Sequence, residues 1–193
     1  MPDFDLAFHL ESVPFEDTKA WNTILRKNTF SNEQIVIFLD RIKQNSRYTS
    51  TLLLRLLTYQ KLEEQHLKKI LNWQNFKFHL DSLIKFQKLP ESILQKVVLY
   101  YSNDSIGELL YRHQRLPESI VDLCLEEKLY LDGLHPNQNL TNQQLVKLIL
   151  NLSTSCGYNR IRELVEILPS EYIPALLTHS QREIRNIIRE YLK

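Results

Sequence analysis

Six times along this chain an apolar residue is followed, five positions later, by another, with a short polar or proline-bearing stretch between them. The first members are Phe30, Leu62, Leu89, Leu116, Leu140 and Leu168; the second are Ile35, Leu67, Leu94, Val121, Leu145 and Ile173. Successive first members lie 32, 27, 27, 24 and 28 residues apart. Apolar residues at N′ and N4 form the staple that sets how a chain enters a helix, so each copy predicts a helix N-terminus. Two kinds of cap serve these starts. Ser31 with Gln34, and Thr141 with Gln144, have the spacing at which a hydroxyl and an amide satisfy each other's backbone N–H groups. Leu89-Pro90-Glu91 and Leu116-Pro117-Glu118 instead offer a proline with helix-compatible φ and an acid at the positive end of the helix dipole.

Three copies align by eye, YQKLEEQHL at 59–67, FQKLPESIL at 86–94 and HQRLPESIV at 113–121, and NQNLTNQQL at 137–145 keeps the Gln and the Leu. Weaker copies are KNTFSNEQI at 27–35 and EILPSEYI at 166–173. Apolar residues then recur at helical spacing, as in Leu67, Ile70 and Leu71, or Leu145, Leu148, Ile149 and Leu152. A second short helix leads back to the next motif, as in SIGELLYRHQ after the polar Ser102-Asn103-Asp104 break. Units of helix, turn and shorter helix that bury their faces only against neighbours predict an all-α, right-handed α-solenoid of about six helix-pair repeats. We place the repeats at 28–180 of a single domain. An N-terminal cap (1–27) carries one amphipathic helix through Ala20, Trp21, Ile24 and Leu25, and a capping helix (181–193) sets Ile184, Ile187, Ile188 and Tyr191 opposite Arg182, Arg185 and Arg189.

Composition agrees. The 193 residues include three glycines, far below the usual share of about 7%, whereas β-rich folds spend glycine on hairpins and bulges. Two cysteines, Cys124 and Cys156, make neither a disulfide framework nor a C-x-x-C pair, which fits a reducing compartment. The start has no basic n-region followed by a continuous apolar stretch, and TLLLRLLTY is short and interrupted by Arg55, so we expect a soluble, cytoplasmic protein without membrane contact. The net charge of +1 conceals a basic middle: residues 41–101 carry +7, between ends of −4 and −2.

The stretch from Trp73 to Leu94, with Ile84, Phe86, Gln87, Lys88, Leu89 and Glu91 at the fixed positions, resembles degenerate repeats found in tandem in phage and giant-virus proteins. It is also similar to leucine-rich-variant repeats, in which a short helix opens after an N-L-P-x-E-like signature. The resemblance covers roughly residues 58–146. It implies an α-solenoid with no defined activity, and a viral protein that acts on a host or viral partner or sits in the particle.

Several columns run through the copies. Gln60, Gln87, Gln114 and Gln138 each precede an anchor by two residues. A recurring amide suits either reading successive groups of an extended ligand, as single-strand RNA repeats do, or bonding the turn backbone between units; the second is the usual fate of an amide beside a buried turn. Lys61, Lys88 and Arg115 follow the glutamines, while Glu64, Glu91 and Glu118 recur at the helix starts, where solvated ion pairs between units are the ordinary outcome. With Lys68, Lys69, Lys77 and Lys85, these bases form the candidate partner surface; Lys96 extends it. Tyr48, Tyr59, Trp73, Phe76, Phe78, Phe86, Tyr100 and Tyr101 are interleaved with them. Most of these aromatics fall at core spacing, so an acidic protein segment is favoured over single-stranded nucleic acid, the alternative that would use the basic 41–101 stretch.

No chemistry signature stands out. His9, His66, His79, His113, His135 and His179 make no H-x(3)-H or H-E-x-x-H arrangement and lie near no cysteine at ligand spacing, so we assign no metal and no cofactor. Nucleophile elbows, phosphate-cradling glycine loops and calcium loops are absent. The sequence therefore predicts a non-enzymatic protein-binding module.

Overall fold

In the computed structural model, residues 4–44, 47–74, 76–100, 104–129, 131–134, 138–152 and 158–192 are described. All regular structure among them is helical. The α-helices are α1 (Leu6–Ser12), α2 (Thr18–Lys27), α3 (Asn32–Gln44), α4 (Thr49–Tyr59), α5 (Glu64–Leu71), α6 (Leu80–Phe86), α7 (Glu91–Tyr100), α8 (Asp104–His113), α9 (Glu118–Glu126), α10 (Asn142–Asn151), α11 (Tyr158–Glu166) and α12 (Arg182–Glu190). Short 3-10 segments occupy Phe76–His79 and Leu131–Gly133, and a longer one Ser170–Thr178. The chain divides into two compact units, Met1–Ile93 and Leu94–Lys193, with the division falling inside α7.

Each motif opens a helix. α3, α5, α7, α9, α10 and the 3-10 segment Ser170–Thr178 start two residues past the six anchors. Both capping boxes form: the Ser31 N–H donates to Gln34 Oε1 at 2.9 Å and the Gln34 N–H to Ser31 Oγ at 3.2 Å. Thr141 and Gln144 repeat the exchange at 3.0 and 3.2 Å. Pro117 and Pro169 sit at the N-cap with φ near −57° and −56° and extended ψ, so the ring presets φ one residue before the helix begins. A third device was not foreseen. His66 Nδ1 accepts the Glu63 N–H at 3.1 Å, an imidazole doing at α5 what Gln34 does at α3.

The anchors Phe30, Leu62, Leu89, Leu116 and Leu168 are buried, as are all six partners five residues on, while Leu140 is half-buried. In the first unit, α4 lies between α2 and α6 in one layer, α3 packs on α5 in a second, and α3 meets α4 between the layers. Leu52, Leu53, Leu56 and Leu57 of α4 and Phe38, Leu39 and Ile42 of α3 fill that space. In the second unit, α10 lies between α9 and the Ser170–Thr178 segment in one layer, α11 packs on α12 in the other, and α10 meets α11. Each of these helices thus meets the next of its own layer, about 8–10 Å away at ordinary helix-packing distance.

Two local expectations change. Residues 1–27 hold two helices, because Asp5 and Asp17 each cap a start: their Oδ1 atoms accept from Phe8 N at 3.1 Å and Ala20 N at 3.0 Å. The second helix of a unit is the shorter in α3 and α4, with 13 and 11 residues, and in α5 and α6, with 8 and 7, but α7 and α8 are equal at 10 each. Pro174, which lacks the N–H that an α-helix needs at an interior position, lies within the one long 3-10 segment.

Candidate binding surface

The glutamine column is buried. Gln60, Gln87, Gln114 and Gln138 are 5–7% exposed, and the first three directly follow the last residue of a helix. Gln60 Oε1 accepts the N–H of the preceding anchor, Phe30, at 2.9 Å, and its Nε2 donates to Leu25 O at 2.6 Å and Asn28 O at 2.7 Å. Gln87 makes the same three bonds one copy later: it accepts from Leu62 N at 2.9 Å and donates to Leu57 O and to Gln60 O, the latter at 2.9 Å. Gln138 does so in the second unit, with Leu116 N at 2.8 Å, Tyr111 O at 3.2 Å and Gln114 O at 2.8 Å. One amide therefore satisfies two orphan carbonyls at a helix end and the N–H of the following turn. Glutamate could not donate, and asparagine is one methylene shorter. These amides are consumed by backbone and are closed to a ligand.

In the first unit the clamps stack three turns, 27–30, 59–62 and 86–89, into a ladder, because Gln60 grips the first and Gln87 the second. The residues flanking each buried glutamine are exposed. Tyr59 is 37% and Phe86 47% exposed on one side, and Lys61 and Lys88 are exposed on the other; the first rung has exposed Lys27 and Thr29 at these positions. The second unit repeats the pattern with exposed His113 and Arg115 around Gln114.

This corrects the reading of the aromatics as core. Among those described, Trp73 is buried and Tyr48 half-buried, but Tyr59, Phe78, Phe86 and Tyr100 are exposed, Phe78 at 81%. Tyr59 and Phe86 end their helices one residue before the clamp, so the glutamine takes the inward place and the ring is left outside. Phe76's surroundings and Tyr101 lie outside what is described.

The seven predicted partner-binding bases fall into two groups. Lys68 pairs with Glu64 at 2.7 Å within α5, and half-buried Lys69 reaches Asp40 of α3 at 2.8 Å. Lys61, Lys77, Lys85 and Lys88 are exposed and have no ion pair among the described residues, and Arg115 and Lys96 are likewise exposed. The acids beside the ladder are engaged: Asn32 Nδ2 donates to Glu63 at 2.8 Å and Ser92 Oγ to Glu64 at 2.6 Å. The Lys68 hydrogen bond first, and the Ser92 hydroxyl second, hold the Glu64 carboxyl below its ordinary pKa. Lys61 and Lys88 thus lack an ion-pair partner among the described residues, whereas Glu64 has one in Lys68 and Glu63 accepts from neutral amides.

Elsewhere, a cavity of about 270 Å³ opens between α1 and α3, lined by Phe4, Leu10, Ile37, Gln34, Glu11 and Arg41 among others. His66, His79 and His179 are buried, His9 half-buried and His113 exposed; His135 lies outside the described residues. No group of three His, Cys, Asp or Glu fit to hold a metal occurs among the described residues. Burial raises the pKa of the Cys124 thiol, which disfavours the thiolate, and Cys156 and Gly157 lie outside the described residues. No described helix is long and apolar enough to cross a membrane. The chain matches no protein-family model, no curated protein and no solved structure.

Proposed function

We propose that this chain is a non-enzymatic binding module: a right-handed α-solenoid of about six helix-pair repeats that holds a protein partner on its exposed turn edge. Layers in which each helix meets its neighbours favour an extended surface over an enclosed cleft. The carrying observation is the ladder of the first unit. Buried Gln60 and Gln87 lock its turns, while Tyr59, Lys61, Phe86 and Lys88 stand exposed along it. Exposed aromatics beside unpaired cations are what binding surfaces use, and a core has no use for them. The resemblance to viral tandem repeats fits a viral adaptor, inhibitor or particle component working in a host cytoplasm.

The test is affinity capture from the native host's lysate, with and without nuclease and at two salt concentrations, using wild type and a Lys61→Glu/Lys88→Glu variant as parallel baits. A protein that survives nuclease and moderate salt on wild type, and is lost from the variant, supports the reading. Recovery of nucleic acid that disappears with nuclease and falls steeply with salt would assign the basic 41–101 stretch to nucleic acid instead.

A further inference from the structure

We infer that the partner segment read by the first unit's ladder is acidic, adopts the polyproline II conformation and carries a carboxylate at every third residue. This deepens the binding reading above and rests on it. The argument is one of spacing, charge and ring chemistry. Gln87 ties the 59–62 turn to its own turn through Gln60 O and Leu62 N, so Lys61 and Lys88 occupy equivalent places on adjacent rungs. Rungs that follow packed helices repeat at about 8–10 Å. A polyproline II segment has three residues per turn and a rise of roughly 3.1 Å, so residues i and i+3 share one edge about 9 Å apart. A β-strand has no such match, because residues three apart face opposite sides.

Charge complementarity fixes the sign. Lys61 and Lys88 are exposed and without an ion pair among the described residues, whereas Glu63 and Glu64 already accept from Asn32, Lys68 and Ser92. Exposed rings fix the backbone. Tyr59 and Phe86 stand three residues before their anchors and two before each lysine in sequence, and their rings are exposed, as are the aromatic surfaces on which proline-rich segments dock. Carboxylates of successive turns meet Lys61 and Lys88, and the intervening prolines lie on Tyr59 and Phe86.

Fluorescence anisotropy with the intact chain tests this. The probes are a labelled peptide of repeated Glu-Pro-Pro, a peptide of identical composition with its glutamates clustered in adjacent pairs, and an oligothymidylate of matching length. The regular peptide should bind at least about fivefold tighter than the clustered one. Lys61→Ala/Lys88→Ala should weaken it about five- to tenfold, as expected for two partly exposed ion pairs. Phe86→Ala should weaken it too, and Lys19→Ala/Lys43→Ala, which removes equal charge from exposed positions off the ladder, should not. Circular dichroism confirms that each variant is folded. Equal binding of the two peptides, indifference to the ladder lysines, no binding of either peptide, or tighter binding of the oligothymidylate overturns the inference. Loss of lysate capture in Lys61→Glu/Lys88→Glu, without peptide binding, would leave the binding module standing and remove only the polyproline chemistry.

Discussion

The two units solve the same problem, what to do with carbonyls at helix ends, with one shared device to which the second unit adds others. In the first unit one side-chain type does it at successive turns: Gln60 and Gln87 each place one acceptor and two donors on the backbone of the preceding copy. The second unit repeats that clamp at Gln138 and adds single bonds at other carbonyls. Asn151 Nδ2 donates to Leu125 O at 3.1 Å, His179 Nε2 lies 3.1 Å from Leu152 O, and Arg160 Nη2 donates to Leu131 O at 3.2 Å. A three-bond clamp demands one residue at one place, so it recurs visibly. A one-bond contact can be made by an amide, an imidazole or a guanidinium, so it leaves no pattern.

The sharpest way to break this contrast is Gln87→Leu. The change keeps apolar bulk but strands the Leu62 N–H and the Leu57 and Gln60 carbonyls, and each buried orphan costs about 1–3 kcal/mol. We expect a loss of about 3–5 kcal/mol in urea unfolding, a large part of the roughly 5–15 kcal/mol of a typical domain. Gln87→Glu should be no better, because a carboxylate would face two carbonyls. If either variant unfolds at the wild-type midpoint, the clamp is a by-product of packing rather than its organiser.

Asn151→Ala removes one bond of the second unit's set, and we expect a loss of about 1–2 kcal/mol by the same measurement; His179→Ala should cost more, because it removes both the bond to Leu152 O and the Nδ1 acceptor of the Gln181 N–H. Cap removal should be smaller and equal in the two units. Ser31→Ala and Thr141→Ala each remove the hydroxyl half of a box and leave the backbone N–H to the glutamine, with an expected loss of about 1 kcal/mol. A marked inequality between them would mean that the units differ in more than their clamps.

What could be read in the sequence follows this division. Helix starts were legible because staples and boxes are short-range patterns, and the clamp glutamines were visible as a column beside the anchors. Their three bonds were not, since these join residues 22 to 35 positions apart. Nor was the side taken by Tyr59 and Phe86, because a residue at the last helical position can face either way until its neighbour's place is known. The break between α1 and α2 did have signals, Pro14 and the Asp5 and Asp17 caps, which the apolar spacing of Ala20, Trp21, Ile24 and Leu25 eclipsed. The choice of Asp40 by Lys69 and of Glu64 by Lys68, leaving Lys61 and Lys88 alone, depends on reach and on layer geometry.

The smallest expected effect separates a buried imidazole from the amide clamps. Burial lowers the pKa of His79, so the native state takes up a proton less readily than the unfolded chain does. Below the ordinary histidine pKa the unfolded state binds more protons, so stability is fully present above that value and declines as pH falls through it. The Gln87 clamp contains no titrating group, and its contribution should stay level over the same interval. Unfolding free energies measured either side of neutrality should therefore slope in wild type and in Gln87→Leu alike, and more weakly in His79→Phe. An unchanged slope in His79→Phe would show that the buried His79 imidazole does not carry the pH dependence.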